Sequence, residues 1–176
     1  KSTGTTEIYT LSLHDHLAFL ADPQGQADLS ALVSACRDHG LSVAALGLGS
    51  NFLVLDSGVR GLTVRLSAGV FAGIEADGSR LKCGGAARMK KVAAEARRCR
   101  LAGMEFLEGI PGSVGGGLRM NAGAMGSELF DVVETVRFMD PAGEVFEMSA
   151  ESIESTYRSC PLLKNQIALR SEEQPA

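Results

Sequence analysis

No two of the four cysteines, Cys36, Cys83, Cys99 and Cys160, stand at CxxC spacing. That pattern argues against a zinc site and for reduced thiols in a cytoplasmic protein. No apolar run approaches the ~20 residues needed to cross a bilayer, and no secretory-type segment opens the chain. No membrane partner is therefore expected. No surplus of positive charge exists either: the net charge is −4, so nothing global points to nucleic acid. The basic residues Arg88, Lys90, Lys91, Arg97, Arg98 and Arg100 cluster locally. There is no Gly-Lys-Ser/Thr, which excludes a Walker A loop, and there is no internal repeat. His14-Asp15-His16 has the residue types of a metal site but no partner at helical spacing, so no metal is expected.

Glycine is what the chain has in excess. It has 21 among 176 residues, against a usual share of ~7%, and eight fall between Gly103 and Gly126. Such a density suits a backbone that turns sharply or approaches something closely.

The periodicity predicts an α+β chain. Residues 1–27 supply apolar mass without a clean period. Leu29, Leu32, Val33 and Cys36 fall on one helix face, with Asp28 as a candidate cap and Gly40 as the terminator. Residues 42–46 and 52–55 read as buried strands, and 62–66 alternate as a half-buried one. Residues 70–76 and 79–83 flank Asp77-Gly78, a hairpin signal. A helix is expected over 88–101, with Met89, Val92, Ala93, Ala96 and Cys99 inward. Arg88, Lys91, Glu95 and Arg98 would lie on its solvated face. A second hairpin is expected around Pro141-Ala142-Gly143. The predicted organisation is two lobes, 1–67 and 68–176, with the seam near 67–70.

Two glycine segments carry the chemistry. Gly47-Leu48-Gly49-Ser50-Asn51 follows a strand, and its amides can form an anion nest suited to a pyrophosphate. It is not the Rossmann fingerprint, because Phe52 stands where a glycine is required and a strand rather than a helix should follow. The second segment runs from Gly109 through Ile110, Pro111, Gly112, Ser113, Gly116 and Gly117 to Asn121 and Gly123. Backbone packed against a flat aromatic ligand needs glycine, since a side chain would strike the ring. A tight crossover inside a packed core needs it too, and both readings stay open.

In combination and order these segments resemble the MurB family of UDP-N-acetylenolpyruvoylglucosamine reductases. Members carry a GxGSN loop, then a G-x-E-x-L-x-G-I-P-G-[ST]-V-G-G run, then M-N-A-G-A. Here the run spans 103–116 and Met120-Asn121-Ala122-Gly123-Ala124 completes it. The resemblance covers residues 28–165. It implies the two-lobed FAD-binding fold of the vanillyl-alcohol-oxidase and MurB type. It also implies FAD as cofactor, NADPH as reductant, and reduction of an enolpyruvyl UDP-sugar to UDP-N-acetylmuramate in peptidoglycan synthesis. Gly47, Leu48, Gly49, Ser50 and Asn51 would hold the pyrophosphate. Ile110, Pro111, Gly112, Ser113, Gly116, Gly117, Asn121 and Gly123 would wrap the flavin end. Tyr157 and Arg158 match a Tyr-Arg pair at the substrate, with Arg158 the catalytic candidate. Arginine suits that task, because its fork binds a carboxylate bidentately and stays charged.

The resemblance also has gaps. The family pattern Tyr-Arg-x-Ser-x-Phe-Lys appears here as 157–164 with its Ser and Phe replaced and its lysine one place late. The family's further substrate domain, with its serine proton donor and a late glutamate, has no counterpart among these 176 residues. A fragment, a short homologue that binds flavin without turnover, and a partner-completed enzyme are the three readings. The isolated chain is expected to show little or no reductase activity, because no acid stands in a matched position to protonate the product. The sequence leaves oligomeric state open.

Overall fold

A computed structural model describes residues 7–13, 16–56, 58–67 and 69–174. His14 and Asp15 lie outside the described residues. The α+β class is as expected: the described residues form two main sheets, a two-stranded hairpin, four α-helices and short 3-10 turns.

The first sheet is built from β1 (Glu7–Leu13), β2 (His16–Asp22), β3 (Val43–Leu46) and β4 (Gly61–Arg65), in the order β1-β2-β4-β3. β1 and β2 form an antiparallel hairpin, and β2 and β3 both run parallel to β4. Helix α1 (Gln26–Asp38) crosses over between β2 and β3 and buries Leu29, Val33 and Cys36, the face that the spacing predicts. Gly25, not Asp28, occupies the N-cap. Asp28 sits one turn in and reaches back to accept from the Gln24 N–H at 3.2 Å, an acidic group where the helix dipole favours one. The helix closes in a Schellman motif: Leu41 N donates to Cys36 O at 2.8 Å and Gly40 N to Arg37 O at 3.0 Å.

Residues 52–55 are not the buried strand that their apolar character suggests. They form no strand, and Phe52, Leu53, Val54 and Leu55 are 51%, 88%, 51% and 71% exposed. A short apolar run has no period of its own to fix its partner. Here it falls in the connection from edge strand β3 to β4, which runs outside the sheet.

The second sheet is antiparallel throughout, in the order β10-β9-β11-β6-β5. Its strands are β5 (Ile74–Asp77), β6 (Arg80–Gly84), β9 (Val133–Met139), β10 (Val145–Ser149) and β11 (Ile167–Glu173). The two remaining strands, β7 (Gly123–Ala124) and β8 (Ser127–Glu128), make a separate small hairpin. The β5–β6 turn is displaced from the expected place. Asp77 pairs with Arg80, so Gly78 and Ser79 form the turn. The start of the expected strand is instead the single-turn helix α2 (Gly69–Ala72). Helix α3 (Met89–Arg98) buries Met89, Val92, Ala93 and Ala96 as expected, and Cys99 is half-buried at its end. β11 had no sequence prediction, although it is the central strand.

Two apolar clusters hold the molecule. The larger lies between the second sheet, α3 and the glycine-rich region. The smaller joins Leu29, Val33, Leu62 and Val64 of the first sheet's side to Met139, Ile167 and Leu169 of the second. Polar contacts reinforce that junction: Ser30 Oγ donates to Gly143 O at 2.9 Å, and Arg37 Nη1 to Ala142 O at 3.1 Å. Both acceptors lie in the β9–β10 turn.

Candidate functional site

The 47–51 loop leaves the carboxyl end of β3, alongside the carboxyl end of its parallel neighbour β4. In sheets with parallel strands this is where ligands are held. Phe52 N donates to Gly49 O at 3.3 Å and closes the turn. Gly49 has φ +73°, and nothing lies within 4 Å of where its Cβ would be. The loop therefore needs glycine for its shape, and it leaves open space beside the backbone.

The second segment is anchored by Phe106 and Leu107, buried in the 3-10 turn Glu105–Gly109. Residues 110–113 then run extended against the start of α3. Val114 N donates to Ala87 O at 2.8 Å and Met89 N to Gly112 O at 3.2 Å. The segment does not continue as a loop: it forms helix α4 (Val114–Met120), containing Gly115, Gly116 and Gly117. These glycines divide between the two readings left open by the sequence. A Cβ on Gly117 would run into Met89 Cε and lie 3.1 Å from Leu129 Cδ2, and one on Gly115 would meet Gly85 O at 3.0 Å. They serve close packing of α4. Gly116 meets only Ser113 Oγ, at 3.5 Å, and Gly109 meets nothing within 4 Å. These two leave room for a ligand.

The two segments touch. Ser50 Oγ donates to Pro111 O at 3.0 Å, and a Cβ on Gly47 would sit 2.9 Å from Ser113 Oγ. A third segment joins them: Arg158 Nη2 donates to Asn51 Oδ1 at 2.9 Å. All three line one cleft of about 1780 Å³, larger than the ~300–1,000 Å³ of an ordinary small-molecule pocket. Every residue singled out in the sequence lines it: Gly47, Leu48, Gly49, Ser50, Asn51, Ile110, Pro111, Gly112, Ser113, Gly116, Gly117, Asn121, Gly123, Tyr157 and Arg158.

Lining the cleft is not the same as being free to bind. The Asn121 side chain is buried, and its amide is occupied within the protein. Nδ2 donates to Glu128 Oε2 at 2.6 Å and Oδ1 accepts from Phe130 N at 3.2 Å. It also caps α4 in the left-handed region, at φ +40°. Its part is to hold the segment's shape. Tyr157 is 82% exposed, and Arg158 is also exposed.

Sequence reasoning missed part of the lining. Arg88 and Lys91, read as a solvated helix face, border the cleft, as do Arg119 and Lys164. Arg158 and the acidic residues Glu128, Asp131 and Asp140 line it too, so the rim has cations to offer an anion although the whole chain is negative. Their register on α3 gave the helix face, but not which neighbour that face borders. Gln166 was missed as well. It lines the cleft, and its Oε1 is buried with no hydrogen-bond partner among the described residues.

A family model described as an FAD binding domain matches residues 17–149. The chain is 43% identical over 139 residues to a UDP-N-acetylenolpyruvoylglucosamine reductase of Methylorubrum extorquens, covering 79% of this chain and 45% of that one. It superposes on the crystal structure of UDP-N-acetylenolpyruvylglucosamine reductase (MurB) from Thermus caldophilus with a TM-score of 0.79 and 27% identity. That match covers 98% of this chain and 63% of that one. 6-Hydroxy-D-nicotine oxidase from Arthrobacter nicotinovorans shares the fold at a TM-score of 0.69 and 18% identity, over 96% of this chain and 42% of that one. The chain spans about half the length of the curated relatives it matches.

Proposed function

The chain belongs to the FAD binding domain family, and from that membership we propose that it forms the flavin-holding part of a UDP-N-acetylenolpyruvoylglucosamine reductase. In this reading it acts in the cytoplasm in peptidoglycan synthesis. NADPH is the reductant, and an enolpyruvyl UDP-sugar is reduced to UDP-N-acetylmuramate. The observation that carries the proposal is the meeting of the two glycine segments in one cleft, at the bond from Ser50 Oγ to Pro111 O.

The cleft suits FAD. The open positions at Gly49, Gly109 and Gly116 admit a ligand close to the backbone, and the cations at the rim suit a pyrophosphate. Residues 47–51 would hold the pyrophosphate. Ile110, Pro111, Gly112, Ser113 and Gly116 would lie along the flavin, with Gly117, Asn121 and Gly123 shaping that wall. Bound FAD would supply the relay of hydride from NADPH to the enolpyruvyl double bond. Arg158 supplies a fixed positive charge. Its guanidinium gives one bond to Asn51 and keeps further N–H donors for the substrate carboxylate, where they stabilise charge that develops as the double bond is reduced. Tyr157 lies beside it at the same edge of the cleft.

Purification tests the first half of the reading: the protein should carry flavin absorbance or take up FAD on titration. An NADPH assay with UDP-N-acetylenolpyruvoylglucosamine tests the second half, and separates a reductase from a flavin-binding module without turnover.

A further inference from the structure

Arg158 and Asn51 are 107 positions apart, and their side chains meet at 2.9 Å. Arginine has only donors, so the amide oxygen of Asn51 is the atom that faces it. The Nδ2 group of this cleft-lining residue is left to donate elsewhere. The charge on Arg158 polarises the amide, and that strengthens whatever bond Nδ2 makes.

The backbone of Arg158 is held from the side of the second sheet. It is one of four described non-glycine residues at positive φ, at +56°. It lies in a turn closed by reciprocal bonds between Thr156 and Ser159, of 2.9 and 3.0 Å. The turn is fastened to α4 and its cap: Cys160 N donates to Arg119 O at 3.1 Å, and Asn121 Nδ2 approaches Thr156 O at 3.5 Å. None of this fixes the guanidinium, which ends a long, exposed chain with large rotamer entropy. Among the described hydrogen bonds and ion pairs, Asn51 is its partner.

We propose that Asn51 is the positioning residue of Arg158, and that through this amide an anion on the 47–51 loop and a carboxylate on Arg158 reinforce each other's binding. The identity of the two ligands rests on the functional reading above, but the link itself does not. An anion that accepts from Nδ2 holds the amide in the orientation that receives Arg158. An arginine engaged with a carboxylate holds the same amide for the anion. The coupling is reciprocal, so the factor by which each ligand tightens the other is the same.

Two measurements test this. In the flavin-free protein, the Nε–Hε resonance of Arg158, assigned by its loss in Arg158→Lys, should report an ordered side chain. It should become mobile in Asn51→Ala and ordered again in Asn51→Asp, which restores an acceptor. In the second measurement FAD is titrated by flavin fluorescence with and without 2-methoxyacrylate, a minimal enol-ether carboxylate. Each should tighten the other about five-fold or more, and the factor should fall to one in Asn51→Ala. An Arg158 signal indifferent to Asn51→Ala, or a coupling that survives it, overturns the proposal. Failure of the unsubstituted protein to bind FAD overturns the functional reading and the coupling with it, while the flavin-free resonance still decides whether Asn51 positions Arg158.

Discussion

The Glu173 carboxyl is fully buried beside the Cys83 thiol, on the neighbouring strands β11 and β6. Its Oε1 accepts from Ser171 Oγ, and its Oε2 has no close hydrogen-bond partner among the described residues. Burial disfavours the charged form and pushes Glu173 above the ordinary 4.5, although donors from Cys83 and Ser171 pull the other way. Burial raises the Cys83 thiol as well, and the neighbouring Glu173 adds to it.

The sign of the resulting pH dependence follows directly. Above about pH 4.5 the unfolded chain releases the Glu173 proton while the folded chain keeps it, so the folded state binds more protons and stability falls as pH rises. The fall is at most about 1.4 kcal/mol per pH unit and ends once the folded carboxyl itself ionises. Thermal melts at pH 5 and pH 8 should show a loss at the higher pH. Glu173→Gln should reduce that loss and melt higher than the parent at pH 8. An equal loss in both proteins would exclude Glu173 as its source.

Asp22 works in the opposite direction. It accepts from Arg65 Nη2 at 2.9 Å, from Ser67 Oγ, and from Ser67 N at 3.2 Å, tying the end of β2 to the chain leaving β4. Burial pushes its carboxyl up, but the bonds from Ser67 and Arg65 outweigh this and hold it below the ordinary value. Its stabilisation is therefore present above the ordinary carboxyl range and is lost as pH falls through the depressed value. Asp22→Ala should destabilise the protein by about 1–3 kcal/mol at neutral pH. In denaturant melts the gap between variant and parent should narrow at pH 3, and a constant gap would contradict the assignment.

Glycine substitutions should separate packing from ligand access. A Cβ on Gly85 would collide with Ala168 O, and Gly85 N already donates to Leu169 O at 2.7 Å. Both sides of this contact are backbone held by β11, so neither yields easily. Gly85→Ala should cost about 1–3 kcal/mol or more. Gly73, with nothing within 4 Å of its Cβ position, should accept Ala within about 0.5 kcal/mol. Equal urea midpoints for the two variants would show that the Gly85 contact relaxes.

These positions also mark what the sequence could and could not disclose. The α1 face, the β9–β10 hairpin and the inner face of α3 were legible because their apolar residues follow one period over several turns or pairs. The motif order singled out the 47–51 and 109–124 segments, which line one cleft. The centre of the second sheet was not legible. β11 reads Ile-Ala-Leu-Arg-Ser-Glu-Glu, and its inward Ser171 and Glu173 look like surface residues until Cys83 is placed beside them. Phe52 to Leu55 failed in the reverse sense, since apolar character alone does not supply a covering partner. The glycines of α4 looked alike in sequence. Only the positions of Met89, Leu129 and Gly85 tell Gly115 and Gly117, which pack, from Gly116, which faces open space.

Gly49 gives the sharpest separation of fold from cofactor. Its φ of +73° lies in the left-handed region, which is a genuine outlier for a β-branched residue, and holding a side chain there costs roughly 1–2 kcal/mol. No neighbouring atom lies within 4 Å of the Cβ position, so Gly49→Val adds no clash with the core. The strain should instead be relieved locally, by opening the turn that Phe52 N closes on Gly49 O. That shift would move the amides of residues 47–51, and the valine methyls would occupy the space through which a pyrophosphate approaches. The melting temperature of Gly49→Val should therefore fall by only a few degrees, while flavin absorbance in the purified protein is lost and added FAD no longer binds. Gly49→Ala should lie between the two, with weakened uptake. A folded Gly49→Val protein that retains its flavin would show that the pyrophosphate does not lie on this loop.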